Sequence, residues 1–210
     1  MKKILIFSDS LPLAREFPET TLFHETWPEL LKKEGYLIHQ VSIGAATSTD
    51  ILTQVSYHKT FQPDLIIIQV GIVDCAPRFA TKFEMEILRK IPKMIGAKII
   101  KNINNPKWRA KRNISYVNIY QFRNNLKHIS QSFPNTQLVF LTILPANDEY
   151  EKLLPGVKRK IELYNDAIKN YNHIDLSKVP LEAIMSDHFH INPKGHLFIY
   201  NKIKEFINFN

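Results

Sequence analysis

The sequence predicts an α/β protein: a parallel sheet covered by helices on both faces. Three observations carry that prediction. Strand-like and helix-like segments alternate along the whole chain, the pattern of strand–helix–strand units. The clearest strand, residues 64–70 (Asp-Leu-Ile-Ile-Ile-Gln-Val), is short, continuous and β-branched, as a strand buried on both faces must be. Each short polar motif able to do chemistry falls just after a predicted strand, where open parallel sheets build their sites.

The elements follow in order. A first strand covers residues 3–8 and a helix covers 24–34, ended near Gly35. Residues 36–42 read as a second strand that leads into Ile43-Gly44-Ala45, and 48–58 as a helix. The third strand, 64–70, leads into Gly71-Ile72-Val73-Asp74. Residues 81–95 read as a helix, after which the chain is basic and irregular to Asn113. Residues 115–132 form a long helix with Tyr116, Ile119, Tyr120 and Phe122 on or near its apolar side. A fourth strand, 137–143, stops at Leu144-Pro145, and a helix covers 158–171. Residues 173–175 make a short fifth strand, so the sheet has five. Asn192 caps a last helix with Pro193 at its first position.

No internal repeat, low-complexity tract or Gly/Pro-rich linker divides the chain, so one domain is expected over residues 1–210, with a basic insertion or lid around 96–113. The 210 residues, 44% hydrophobic and 23% charged, suit a soluble globular domain with a sizeable core. No apolar run is long enough to span a bilayer. The start, Met1-Lys2-Lys3 followed by Ile4-Leu5-Ile6-Phe7, briefly mimics a secretory signal. Its apolar stretch ends too soon, at Ser8-Asp9, and reads as the first strand of a cytoplasmic protein. The one cysteine, Cys75, excludes an internal disulfide and a multi-cysteine zinc site, and is read as buried rather than reactive. The net charge of +8 favours anionic surroundings, and much of it sits in residues 98–112. That stretch reads first as a solvated surface; no nucleic-acid-binding motif accompanies it, so nucleic acid is not expected as a partner.

Two motifs stand out. Ser8-Asp9-Ser10-Leu11 puts a serine on the turn leaving the first strand, and Asp187-His188-Phe189-His190 offers an aspartate and a histidine three residues apart. A serine hydroxyl is a weak nucleophile until a neighbouring base takes its proton, and a carboxylate fixes the tautomer of that base. Ser10, His190 and Asp187 supply those three parts. A lone serine in such a place is commonly a turn residue, and it is the motif near the other end that changes the odds. The order Ser, Asp, His occurs in triads on other folds, but the Gly-x-Ser-x-Gly elbow of α/β-hydrolases is absent. Gly44 is either an oxyanion donor through its N–H or a plain turn glycine. Asp74 can bind substrate, hold Arg78 or cap the next segment, support being the favoured role. Arg78 can pair with a substrate anion or with Asp74. Asp187, His188, His190 and His196 are acceptable ligand types for a metal, but their spacing fits poorly and the site is expected to hold none.

Taken together these blocks resemble the SGNH/GDSL hydrolase superfamily. Its first block, Gly-Asp-Ser-Leu, corresponds to Ser8-Asp9-Ser10-Leu11, and the glycine of its second block to Gly44. Its third, Gly-x-Asn-Asp, corresponds to Gly71-Ile72-Val73-Asp74, and its last, Asp-x-x-His, to Asp187-His188-Phe189-His190. Ile191-Asn192-Pro193-Lys194-Gly195-His196 resembles the usual continuation into the final helix. The resemblance implies a flavodoxin-like three-layer α/β/α sandwich with a central parallel sheet, the SGNH hydrolase fold. It implies Ser10 as nucleophile, His190 as base, Asp187 as its partner, an oxyanion hole from the N–H groups of Ser10 and Gly44, and no cofactor. Ser8 departs from the family glycine, and Val73 replaces an asparagine whose side chain would donate to the oxyanion. Loss of one such donor typically costs roughly a hundred- to thousandfold in turnover. Asn147 and Arg78 are the candidates to make it good, and with Asp74 they are the candidate substrate-binding residues. The run from Gly71 to Arg78 also resembles a subgroup associated with bacterial surface polysaccharide synthesis.

The expected function is therefore that of a serine esterase cleaving an O-acyl group, such as O-acetyl, from a carbohydrate or another small ester. The alternatives are O-acyl transfer by the same covalent step, and a glycan-binding module of the same fold that has lost efficient turnover.

Overall fold

A computed structural model describes residues 1–209 of the chain. Five strands form one parallel sheet: β1 (Lys3–Ser8), β2 (Leu37–Ser42), β3 (Leu65–Gln69), β4 (Gln137–Leu141) and β5 (His173–Ile174), in the order β2-β1-β3-β4-β5. The continuous apolar runs of β1 and β3 have the physical cause expected of them. Ile4 to Phe7 and Leu65 to Ile68 are fully buried, so both faces of the central strands are covered. One cover pairs α1 (Trp27–Lys33) with α10 (Pro193–Phe209). The other joins α2 (Ser48–Val55), α7 (Ile119–Gln131) and α9 (Val157–Ile168), with the short α3 (Ile72–Cys75) against α9. Helices thus flank the sheet as the alternating pattern predicts.

Local chemistry sets the helix ends. Thr47 and Asp50 form a capping box at the start of α2, and Thr81 and Glu84 form one at α4 (Lys82–Lys90). Asn118 caps α7 through the Gln121 N–H, and Asn192 accepts from the Lys194 N–H at 3.0 Å at the start of α10.

Several expectations are corrected. The helix foreseen over 24–34 is a 3-10 turn (Phe23–Glu25) followed by α1, because Thr26 is extended and Pro28 has no N–H to continue a ladder. Residues 48–58 give up the α-helix at Val55 for a 3-10 turn. The helix over 115–132 begins only at Ile119; Ser115 instead donates to the Cys75 carbonyl at 2.9 Å, and Tyr120 is exposed. An unforeseen short helix, α8 (Asp148–Leu153), starts at Asn147, which accepts from the Tyr150 N–H.

The largest correction concerns the basic stretch. Residues 81–95 break at Ile91, whose extended backbone precedes Pro92. The chain then forms α5 (Lys93–Ile103) and α6 (Pro106–Arg112), where irregular structure was expected. Asn105 caps α6 and Pro106 occupies its first turn. Helix α6 is tied down by Arg112, which grips Glu84 with two bonds of 2.9 Å, and by Trp108, whose indole N–H donates to the Phe79 carbonyl at 3.1 Å. Among the described residues, no helix is long and apolar enough to cross a membrane.

One glycine decides how α10 meets the loop before it. A Cβ at Gly195 would lie 2.7 Å from the Ala183 carbonyl oxygen and 2.7 Å from Ile191 Cβ. Backbone cannot yield as a flexible side chain would, so Gly195→Ala is expected to destabilise the protein by about 1–3 kcal/mol, read from a lower urea midpoint at unchanged slope.

Candidate active site

The motif residues meet at the carboxyl ends of the strands, where β1 and β3 diverge to opposite sides of the sheet, the usual place for a site in a doubly wound fold. At the end of β1 the Ser8 hydroxyl lies 2.6 Å from that of Ser42, pinning β1 to β2. Asp9 then turns inward and accepts the Leu11 N–H at 2.9 Å, an Asx turn that bends the chain and leaves Ser10 at the rim. Ser10 Oγ lies 3.2 Å from His190 Nε2.

The second motif folds on itself. His188 takes a left-handed conformation (φ 70°), which lets residues 187 and 190 face each other. Asp187 Oδ1 accepts the N–H groups of Phe189 and His190 at 3.2 and 3.0 Å, and Oδ2 accepts from His190 Nδ1 at 2.5 Å. The loop is closed by the Met185 N–H bonding the His190 carbonyl at 2.8 Å and by a bridge between Ile184 and Ile191. Burial pushes the Asp187 carboxyl up, but the His190 and Phe189 donors outweigh it and hold it below its ordinary range. Burial lowers the His190 pKa and Arg15 adds to this, against the pull of Asp187, so the imidazole is neutral near pH 7. With Nδ1–H donated to Asp187, Nε2 is free to accept the Ser10 proton.

Sequence reasoning missed Arg15. Its Nη2 donates to the Ser10 carbonyl at 2.6 Å, and its charge acts on Asp9, Asp187, His190 and His196. A cation five residues beyond the candidate nucleophile was the available signal. Phe189 was also passed over: its ring stacks on Tyr150 at 5.9 Å and lies 4.0 Å from the His190 ring, walling the base.

The site opens into a cavity of about 650 Å³ whose lining includes Ser10, Asp187, His190, Val73, Arg78 and Arg109. Val73 therefore lines the site itself. The basic stretch forms part of the wall, through Asn104, Asn105, Pro106 and Arg109. At the turn after β2, Ala45 lines the cavity (φ 59°) while Gly44 is exposed beside it.

Two candidate substrate contacts are placed elsewhere. Asp74 is fully buried, with Oδ1 accepting the Ser48 N–H and hydroxyl at 2.9 and 2.6 Å, and it makes no ion pair with Arg78. It braces α3 against the start of α2, away from the cavity wall. Asn147 is occupied by its cap and by His188 Nδ1 at 3.3 Å, and it is not on the cavity wall. Arg78 lines the cavity as foreseen. Cys75 is buried and its thiol pKa is pushed up by desolvation. Of the metal-ligand types singled out in the sequence, His196 is buried and accepts the Trp27 N–H at 3.2 Å; no group of three His, Cys, Asp or Glu among the described residues is arranged to hold an ion.

No protein-family model matches the sequence, and no curated protein matches it. Solved structures do. A lipase/acylhydrolase from Enterococcus faecalis superposes with a TM-score of 0.67 at 16% identity, over 99% of this chain and 95% of that one. A GDSL-like lipase from Bacteroides thetaiotaomicron gives 0.63 at 15%, over 99% and 88%. The esterase EstA from Pseudoalteromonas sp., in a structure inhibited by monoethylphosphonate, gives 0.55 at 18%, over 99% and 100%. The chain has the GDSL hydrolase fold. This GDSL-type fold supplies the five-stranded parallel sheet and its flanking helices; at these identities it supplies no activity.

Within it, Asp9 carries an unusual burden. It is buried, Oδ2 has no partner, and desolvation raises its pKa from an ordinary 3.8 to about 7. The folded state holds this proton more tightly than the unfolded chain, so stability falls as pH rises from about 4 through about 7. Asp9→Asn keeps an acceptor for the Leu11 N–H and removes the titration. It is expected to flatten that fall and to exceed the wild type by about 1–3 kcal/mol at pH 8, measured by denaturation across pH.

Proposed function

We propose that this chain is a serine ester hydrolase of the SGNH/GDSL superfamily, with Ser10 as nucleophile, His190 as general base and acid, and Asp187 as the group that orients it. The observation that carries the reading is the continuous relay from Ser10 Oγ through His190 to Asp187, opening on a cavity large enough for a small ester. The ordered sequence blocks and the shared fold support it.

Ser10 Oγ attacks the acyl carbonyl as His190 Nε2 takes its proton. The tetrahedral oxyanion collapses, the ester C–O bond breaks, and His190 returns the proton to the departing alcohol. Water then attacks the acyl-serine, again giving a proton to His190, and the acid leaves as Ser10 is restored. The N–H groups of Ser10 and Gly44, neither bonded to a protein acceptor, are the proposed oxyanion donors. We further assign the alcohol half to a carbohydrate, consistent with the surface-polysaccharide resemblance. Tyr116 and Phe189 offer ring surface for a sugar, and Asn104 offers an amide for hydroxyls.

A fluorophosphonate is expected to label the wild type and neither Ser10→Ala nor His190→Ala. Ester turnover in Ser10→Ala should fall by at least about a thousandfold. Val73 at the cavity favours one second reading, a binding module with little turnover: it predicts glycan binding that survives Ser10→Ala, and no labelling. Acyl transfer would show as acylated acceptor glycan in place of free acid.

The pH profile is a separate check. Neutral His190 is the active form and its pKa is lowered, so kcat/KM should climb to a plateau through an inflection below pH 6.5. Arg15→Gln removes a cation that favours the neutral ring, and should move that inflection upward.

A further inference from the structure

The cavity holds two guanidinium groups with no acid to match them. Arg78 and Arg109 both line it, and neither forms an ion pair with any described carboxylate. Each charge acts unfavourably on the other, since Arg78 lowers the Arg109 pKa after burial does. Lys160, which bonds the Asn113 carbonyl and Ser115 hydroxyl, adds a third cation within range of Arg78. The one carboxylate in the cavity wall, Asp187, is turned toward His190 with both oxygens occupied.

Both arginines are held in place by contacts that leave donors over. Arg78 lies 4.5 Å above the Tyr116 ring and gives one N–H to the Val73 carbonyl at 3.1 Å; its buried Nε has no partner. Arg109 sits 5.3 Å from the Phe79 ring, and its Nη1 donates to the Pro77 carbonyl at 2.7 Å and its Nη2 to Asn104 Oδ1 at 2.5 Å. Each guanidinium has five donors, and these contacts use one and two of them. Stacking and carbonyl bonds fix the orientation of a guanidinium without neutralising it. Like charges brought together in a partly desolvated wall cost stability unless a counter-charge joins them. Planar guanidinium forks match carboxylate and phosphate oxygens.

We propose that Arg78 and Arg109 form an anion subsite, so that the ester this protein takes carries a carboxylate or phosphate group in addition to its acyl group. The subsite rests on the esterase reading for its role in turnover, but not for binding. It also gives the basic stretch a purpose: α6 brings Arg109 to the cavity that Arg78 already faces.

The test has a kinetic and a binding arm. The kinetic arm compares kcat/KM for three acetyl esters with the same kind of leaving group: O-acetylated glucose, O-acetylated glucuronate and O-acetylated glucose 6-phosphate. At least one anionic ester should exceed the neutral one by about tenfold or more, and which one does identifies carboxylate or phosphate. In the Arg78→Gln/Arg109→Gln double variant this ratio should fall toward one, while Arg78→Lys/Arg109→Lys, which keeps charge but loses the fork, should be intermediate. The lysine variant also serves if the glutamine variant does not fold. The binding arm titrates glucose 6-phosphate and succinate against glucose in Ser10→Ala protein, which needs no turnover. Preferential anion binding lost in the glutamine variant upholds the subsite even where no ester is cleaved, in which case the esterase reading alone falls. Ester turnover with no anionic preference, together with equal binding of charged and neutral probes, overturns the subsite and leaves the esterase reading standing.

Discussion

The hydrogen bond from Ser10 to His190 spans 180 positions of sequence, and the rest of the site depends on it. Its two ends are held by different means. Ser10 leaves a central strand whose position is fixed by pairing on both sides, with β2 and with β3. His190 belongs to a loop with no strand to hold it, so other contacts do that work. Its carbonyl bonds the Met185 N–H, the Asn192 N–H bonds the Ala183 carbonyl at 3.0 Å, and α10 closes onto Ala183 and Ile191 at Gly195. From the other side, the Glu19 carboxylate accepts the Ser186 N–H at 3.0 Å. The segment after Ser10 therefore steadies the loop that carries its partner.

Beneath the rim lies a layer of buried polar groups that explains why some motif residues are not reaction groups. Asp74 ends the run Gly71-Ile72-Val73-Asp74 singled out in the sequence, but its oxygens are committed to Ser48, which the Asn125 amide approaches within 2.8 Å. Burial raises the Asp74 pKa to about 6 despite these bonds. Such a network is costly unless satisfied, and being satisfied it fixes where β3 ends and α2 begins. Ser8 does the equivalent for β1 and β2. Its hydroxyl needs an extended partner strand beside it, which a glycine in that place would not use.

The sheet was legible because strands buried on both faces must be apolar throughout, and β1, β3 and β4 begin and end within two residues of their apolar runs. Ser10 was legible as a polar residue at a strand exit and Asp187 with His190 as an aspartate and a histidine three residues apart in a loop, and the structure brings them together. Tertiary contacts hid the rest. The lysines and arginines of α5 and α6 have the composition of a solvated surface, and nothing local announces that Trp108 and Arg112 dock α6 on Phe79 and Glu84. Arg15 escaped notice because its partner is a backbone carbonyl, which carries no sequence signature. Asn147 looked like a spare donor; its use as a cap became visible only with α8.

The charges around the cavity bear on the oxyanion of the proposed reaction, to which Val73 offers no side-chain donor. Arg15 stands behind the Ser10 turn, Arg78 and Arg109 stand in the wall, and Asp187 is the carboxylate among the lining residues. In the proposed reaction a positive surrounding favours the oxyanion that forms as Ser10 attacks, while it favours the neutral imidazole over the imidazolium, so it helps one product of that step and weakens the base. Such a field acts over distance and needs no donor at hydrogen-bond range, so it offsets part of what Val73 gives up without replacing an aimed N–H. Under the proposed mechanism Asp187, bonded to Nδ1, is the group placed to counter the cost to the imidazolium that forms as Ser10 loses its proton. On that reading more of the work falls on Asp187 than a site with a side-chain oxyanion donor and fewer nearby cations would require.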